Sequence, residues 1–276
     1  MDSGLQGKTV IVTGGSGGIG QAVVRKFALE GANVVIHYLQ AKEAAENLAH
    51  SIKSTRAIAI GADLSTESQV RSLFDQSESQ LGQVDILVAN AGRWPEPDVP
   101  IHEMSLQRWQ DTFANNSTSI FLCVREFLNR ASQHQMPDPS MVMTGSTAGH
   151  FGEAGHADYA AGKSSFMHGL CKSLKNEIVQ VCPRGRVNAV CPGWTLTPMA
   201  RELTKDKSAM EKALQTIALR KFASSEDIAN SIVFLSSNQL AGHITGQTLF
   251  VDGGMEGRVL FDSSEIELDR ALPRYE

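Results

Sequence analysis

Seven short runs of β-branched and apolar residues punctuate the 276-residue chain: KTVIVTG, NVVIHY, RAIAIGAD, VDILVANAG, SMVMTGS, RVNAVCPG and TLFVDGG. Several are apolar without alternation, which suits strands covered on both faces, as in a parallel sheet. Between them the pattern changes to that of amphipathic helices. In SQVRSLFDQSESQLG, Val70, Leu73, Phe74 and Leu81 fall on one stripe, and Gly82 marks the stop. In SSEDIANSIVFLSS, Ser224 stands three residues before Asp227, the spacing of an N-cap ahead of an apolar run. Strands alternating with helices imply crossover connections. The expected fold is α/β: a single-domain, doubly wound sheet of about seven mostly parallel strands with helices on both faces. No internal repeat or long linker divides the chain. SQHQMPDPS (132–140) reads as a polar, proline-containing connection, and residues 255–276 have no evident place in the sheet.

Composition narrows the classes of function. Hydrophobic residues make up 42% and charged residues 20%, an ordinary globular balance. A net charge of −5 supplies no field to recruit nucleic acid or an anionic membrane. No apolar run approaches the roughly 20 residues of a membrane span, and MDSGLQGKTV lacks the basic-then-apolar order of a secretory leader. Cys123, Cys171, Cys182 and Cys191 have no C-x-x-C spacing and read as reduced thiols. A cytoplasmic location is expected. Eight scattered histidines, without H-E-x-x-H or a Cys/His cluster, give no reason to expect a catalytic metal.

TGGSGGIG (13–20) joins the first strand to the first helix. Unpaired N–H groups and a partial positive charge at a helix start attract a pyrophosphate, and glycines let it approach. Two spacings overlap here: Gly15, Gly17 and Gly20 spell G-x-G-x-x-G, whereas Gly14, Gly18 and Gly20 spell G-x-x-x-G-x-G. Either suits a dinucleotide; a nucleoside-triphosphate loop is disfavoured because no Gly-Lys-Ser/Thr follows. The second strand ends in Tyr38-Leu39-Gln40, without the carboxylate that would hold a ribose 2′-hydroxyl and repel a 2′-phosphate. No arginine replaces it, and Gly17 supplies no cation. NADP(H) is the expected cofactor, with NAD(H) as the alternative.

Tyr159 and Lys163 stand four apart and share a helix face. A phenol has a pKa of about 10, and a neighbouring ammonium is expected to lower it and make Tyr159 a usable acid or base. Ser146, thirteen residues earlier at a strand's end, faces the crevice where such sheets bind ligands.

The ordered set of TGGSGGIG, ANAG, Ser146, Tyr159-Ala-Ala-Gly-Lys163 and PGWTLTPM resembles the short-chain dehydrogenase/reductase family over roughly residues 5–254, leaving 255–276 as a C-terminal extension. The resemblance implies a Rossmann-type sheet and the glycine frame Gly14, Gly18, Gly20, with Ser16, Ile19 and Tyr38 also at the cofactor. It implies that Asp63 meets the adenine with Leu64 in support, and that Asn90, Ala91 and Gly92 line the cofactor side. Pro192, Gly193, Thr195 and Thr197 would lie at the nicotinamide end, Thr195 through its backbone. Ser146, Tyr159, Lys163 and Asn116 would be catalytic. Asn116 is chosen over Asn115 because its spacing from Trp109 and Phe121 matches the family.

The activity implied is hydride transfer between a nicotinamide and a carbonyl carbon, NADPH-dependent reduction of a small organic ketone, or the reverse oxidation. Trp94, His150, Phe151 and Trp194 are candidates for the substrate pocket, and 200–222 falls where the family varies its lid; its many charges suit a solvated helix. An NAD-dependent alcohol dehydrogenase is the alternative within the class, and a cofactor-binding sensor without turnover is the alternative outside it. A homodimer or homotetramer is expected from the resemblance.

Overall fold

The computed structural model describes residues 2–197 and 205–272. Pro198 and Met199 of PGWTLTPM, residues 200–204 of the expected lid, and 273–276 of the tail lie outside the described residues. In chain order, the first half comprises β1 (Thr9–Val12), α1 (Gly18–Leu29), β2 (Asn33–Tyr38), α2 (Lys42–Ser51), β3 (Ala57–Gly61), α3 (Glu67–Leu81) and β4 (Ile86–Ala89). Then follow α4 (Leu106–Phe113), α5 (Ser119–Gln133), β5 (Ser140–Thr144), α6 (Ala148–Phe151), α7 (Ala157–Ser164), α8 (Cys171–Val181) and β6 (Arg186–Pro192). The chain ends with α9 (Lys207–Leu214), α10 (Ser225–Ser236), α11 (Asn238–Ala241), β7 (Thr248–Val251) and α12 (Leu268–Ala271).

The seven strands form one sheet in the order β3-β2-β1-β4-β5-β6-β7. Every neighbouring pair is parallel. The apolar runs are continuous because both faces are covered. Ile11, Val35, Leu87, Met141 and Met143 join one core with α3, α5 and α8, while Val10, Val12, Val34, Ile36 and Val88 join the other with α1, α2 and α10. α3 buries Val70, Leu73, Phe74 and Leu81 and stops at Gly82, whose φ of 83° favours glycine. α10 starts in a capping box between Ser224 and Asp227.

β1 has β2 on one side and β4 on the other, so the strand order reverses there and opens a crevice at the strands' C-terminal ends. The residues after β7 do not extend the sheet. They fold back on the chain around α9: Glu256 N–H donates to the Thr216 carbonyl at 3.0 Å, Leu260 N–H to Gln215 at 2.7 Å, and Phe222 N–H to Ala271 at 2.9 Å. Met210, Leu214, Ile217, Phe222 and Ala271 form a satellite core there, with Met255, Ile266 and Leu268 against it. No described helix is long and apolar enough to cross a membrane.

Candidate active site

The crevice is built from loops that leave the sheet. Thr13 follows β1, and its hydroxyl oxygen accepts from the Asn90 and Ala91 N–H groups, both at 2.9 Å. Asn90 Nδ2 donates back to the Thr13 carbonyl at 3.1 Å. The loops after β1 and β4 are thus fastened across the switch point. Gly14 has a φ of 63°, and a Cβ on it would sit 3.0 Å from Ala91 Cα. A Cβ on Gly20 would lie 2.1 Å from the Gly14 carbonyl oxygen, so the first turn of α1 touches the loop there. Gly17, by contrast, would meet nothing nearer than 3.4 Å. α1 begins at Gly18 with no side chain capping its first turn, which leaves its N–H groups facing the crevice. Gln21 Nε2 secures the loop at the Ser16 carbonyl at 2.8 Å, and Ile19 packs on the core.

His37, on β2, was missed in the sequence, although a histidine within the apolar run NVVIHY is the available signal. Its Nδ1 accepts from Gly14 N–H at 2.9 Å, and its Nε2 meets the Ala62 carbonyl at 2.9 Å. A carbonyl only accepts, so Nε2 carries the proton and the ring is neutral. Burial lowers its pKa, which holds that state. Tyr38 lays its ring against Gly61, where a Cβ would come within 2.9 Å. Beyond β3, the Asp63 carboxylate accepts from Ser65 N–H at 2.9 Å and Ser65 Oγ at 2.7 Å, and these bonds lower its pKa. Leu64 is buried beside it.

The catalytic candidates gather under Gly92. A Cβ there would lie 2.8 Å from Asn116 Oδ1 and 3.2 Å from Lys163 Nζ, so only glycine leaves both polar groups room. Asn116 sits in a π-helical turn between α4 and α5, buried, with Nδ2 donating to the Arg93 and Thr112 carbonyls at 3.0 Å and Oδ1 accepting from Arg93 N–H at 2.9 Å. Asn115 instead bonds the Asp111 carbonyl at 2.8 Å on the exposed side. Ser146 follows β5, and its Oγ accepts from Ala148 N–H at 3.2 Å. Tyr159 and Lys163 share the inner face of α7, with Nζ 5.6 Å from the phenol ring centroid.

The expectation that Lys163 draws the Tyr159 pKa down is corrected. Burial pushes the phenol up to about 12, with the Ser146 hydroxyl opposing and the Cys191 thiol adding to the rise. Burial lowers Lys163 to about 8. The ammonium donates to the Thr144 carbonyl at 2.9 Å. Desolvation is the largest cause at both groups.

The four aromatic pocket candidates separate. Trp94 meets the Tyr159 ring edge-on, with centroids 4.8 Å apart. Phe151 is exposed at the tip of α6 and faces Gly257 of the tail. His150 is turned to the β7 side, against His168 and Phe250, and so does not join Trp94 at Tyr159. Trp194 packs on the satellite core under the tail. At the far end of β6, Gly193 lies against Asp252, where a Cβ would come within 2.8 Å, and Thr195 Oγ1 donates to the Gly193 carbonyl at 2.9 Å. Pro192 accepts from Thr147 N–H at 3.0 Å, and Thr197 is half-buried beyond it.

Comparison with known proteins agrees with this architecture. A family model described as enoyl-(acyl carrier protein) reductase matches residues 14–256. A 3-oxoacyl-(acyl carrier protein) reductase of Staphylococcus epidermidis is 34% identical over 251 residues, covering 90% of this chain and 98% of the relative. The 3beta-hydroxysteroid dehydrogenase 1 of Eggerthella lenta is 36% identical over 259 residues, covering 92% of this chain and 96% of the relative. With the parallel sheet, the glycine turn and these relatives together, the chain belongs to the short-chain dehydrogenase/reductase family, NAD(P)-dependent oxidoreductases acting on CH–OH and C=O groups.

Proposed function

We propose that the protein is an NADPH-dependent carbonyl reductase in which Tyr159 protonates the ketone oxygen. The observation that carries this reading is the grouping of Tyr159 and Lys163 on one face of α7, with Lys163 Nζ and Asn116 Oδ1 both beneath Gly92 and the Trp94 ring edge-on to the phenol. A phenol keeps its proton at neutral pH and can give it to a carbonyl oxygen. Ser146 orients the carbonyl oxygen. Lys163, at about 8, exchanges protons near neutrality and restores the proton to Tyr159, while Asn116 keeps the relay aligned. A bound nicotinamide would supply the hydride. Gly14, Ser16, Gly18, Ile19 and Gly20 would hold its pyrophosphate. Asn90, Ala91, Gly92, Pro192, Gly193, Thr195 and Thr197 would line the cofactor side, with Asp63 and Leu64 toward the adenine.

Preference for NADPH rests on the end of β2. No carboxylate stands there to repel a 2′-phosphate. The next helix, α2, opens with Lys42 and has no side-chain cap on its first turn. Against it stands the lack of an arginine, which keeps an NAD-dependent alcohol dehydrogenase as the second reading. Trp94 gives the pocket an apolar wall. The two relatives' names, one for a 3-oxoacyl group and one for a hydroxysteroid, suit a ketone with an apolar body. The enzyme domain is residues 5–254, the remainder is an extension, and the location is cytoplasmic. Exposed Leu106 and Phe121 on α4 and α5, and Leu249 on the edge strand β7, suit a homodimer or homotetramer.

Parallel titration with NADPH and NADH, followed by nicotinamide fluorescence, tests the cofactor; tenfold tighter NADPH binding corresponds to about 1.4 kcal/mol. Tighter NADH binding overturns that preference. Tyr159→Phe is expected to lose roughly 10²–10⁴-fold in kcat while binding cofactor normally, and near-normal turnover refutes the role of Tyr159.

A further inference from the structure

The segment following Gly92 lies directly against the start of α7. Arg108, on α4, fastens them. Its Nε donates to Asp158 Oδ2 at 3.1 Å, a second nitrogen to the Pro97 carbonyl, and a third to the Gly155 carbonyl at 3.3 Å. Thr112 Oγ1 donates to the same Asp158 oxygen at 2.7 Å. Val99 N–H donates to the Gly155 carbonyl at 2.9 Å, and a Cβ on Gly155 would lie 3.0 Å from that of Asp98. From the other side, His156 meets the Pro95 carbonyl with Nε2 at 3.0 Å and lies under Trp94, with ring centroids 3.9 Å apart. Trp94 in turn lies edge-on to Tyr159.

Two polar atoms of this cluster, Asp158 Oδ1 and His156 Nδ1, are buried without a hydrogen-bond partner. Asp158 is fully buried, and the Arg108 side chain is 14% exposed. Buried ion pairs seldom add net stability over apolar residues of the same volume, and unpaired polar atoms subtract from it. The arrangement therefore makes better sense as a device for position.

We propose that Arg108, Asp158 and His156 are positioning residues that lock segment 94–99 onto the first turn of α7, and so set the distance between the Trp94 wall and the Tyr159 hydroxyl for a ketone with a bulky apolar substituent. The inference rests on the carbonyl-reductase reading for its substrate, but the lock itself is testable without turnover.

The test uses Arg108→Lys, which keeps the charge but cannot span three acceptors with one planar fork, and Asp158→Asn as a second variant of the same shape. Exchange of the Val99 amide, which the Gly155 carbonyl holds, should quicken about tenfold in both, with the sheet unchanged. NADPH affinity should stay within about twofold, while KM for acetophenone should rise roughly 10–100-fold, the scale of a misplaced wall, and KM for the smaller ethyl acetoacetate should rise less. In a Trp94→Ala background, Arg108→Lys should no longer change the acetophenone KM, because the wall it positions is gone. Unchanged exchange at Val99, or faster exchange throughout the chain, overturns the proposal, as does an undiminished Arg108→Lys effect without Trp94. If the unaltered protein reduces neither ketone, the reductase reading fails and the exchange result alone decides the lock.

Discussion

Lys163 shows how the same four-residue spacing acquires a different electrostatic meaning once it is buried. In the sequence it stands beside Tyr159 as a permanent cation. In the structure its pKa falls to about 8, so its charge varies across the pH range in which enzymes work. For a relay that needs the protonated amine, the reduction rate at saturating cofactor should fall as pH rises through about 8. Lys163→Met should lower kcat by roughly 10²-fold or more and remove that limb of the profile; a profile unchanged by the substitution would eliminate Lys163 as its source. Stability carries the same signature. The ordinary lysine pKa is 10.5, so between about 8 and 10.5 the unfolded chain binds a proton that the folded one has released, and the Lys163 contribution to stability rises with pH. The stability of the unaltered protein relative to Lys163→Met should therefore increase across that window and stay flat below it. Spacing put Tyr159 and Lys163 on one helix face, and the ordered motif set singled them out; the direction of their pKa shifts was not legible, because it depends on how much water the fold excludes.

At the scale of one loop and one helix, the two glycine frames of TGGSGGIG make different demands. Gly20 belongs to both and is packed on the Gly14 carbonyl oxygen. Gly14 and Gly17 separate them. Gly14→Ala forces a side chain into a left-handed backbone, about 1–2 kcal/mol of strain, and against Ala91. Gly17→Ala places a methyl in ordinary contact at a φ of −84°. Titration with NADPH should show a marked loss of affinity for Gly14→Ala and little change for Gly17→Ala; the reverse order would restore the frame through Gly15 and Gly17. The elements themselves followed from local pattern, since continuous apolar runs and 3.6-residue stripes need no partner to be read. His37 did not, because its function is to connect the Gly14 amide to Ala62, residues that meet only when β1, β2 and β3 lie side by side.

Across the molecule, the tail and the satellite core form a unit separate from the two cores that flank the sheet. Ile266, Leu268 and Ala271 complete an apolar cluster with α9 and Phe222, and main-chain bonds from Leu260 and Phe261 fasten Gln215. Ala271 is buried and Ile266 and Leu268 are partly buried against α9, so deleting residues 257–276 should loosen this unit while the sheet stays folded. Limited proteolysis should then cut within 205–222 in the shortened chain and not in the full one. Equal resistance would mean that the tail does not support α9. The tail was opaque in the sequence because its apolar residues are sparse and pair with a helix some 50 residues earlier.

By itself the sequence determined what depends on near neighbours: seven strands, several of them apolar on both faces, the helices between them, the glycine turn, and Tyr159 and Lys163 on one helical face. These follow from backbone period and sterics, which act over a few residues. The tertiary structure decided what depends on burial and on contacts between distant segments. It raised Tyr159 instead of lowering it, because desolvation disfavours the charged phenolate. It turned His150 toward Phe250 and Trp194 into the satellite core, because side-chain direction is set by the surface each loop packs against. It also joined Arg108 and Asp158, fifty residues apart, at the start of α7.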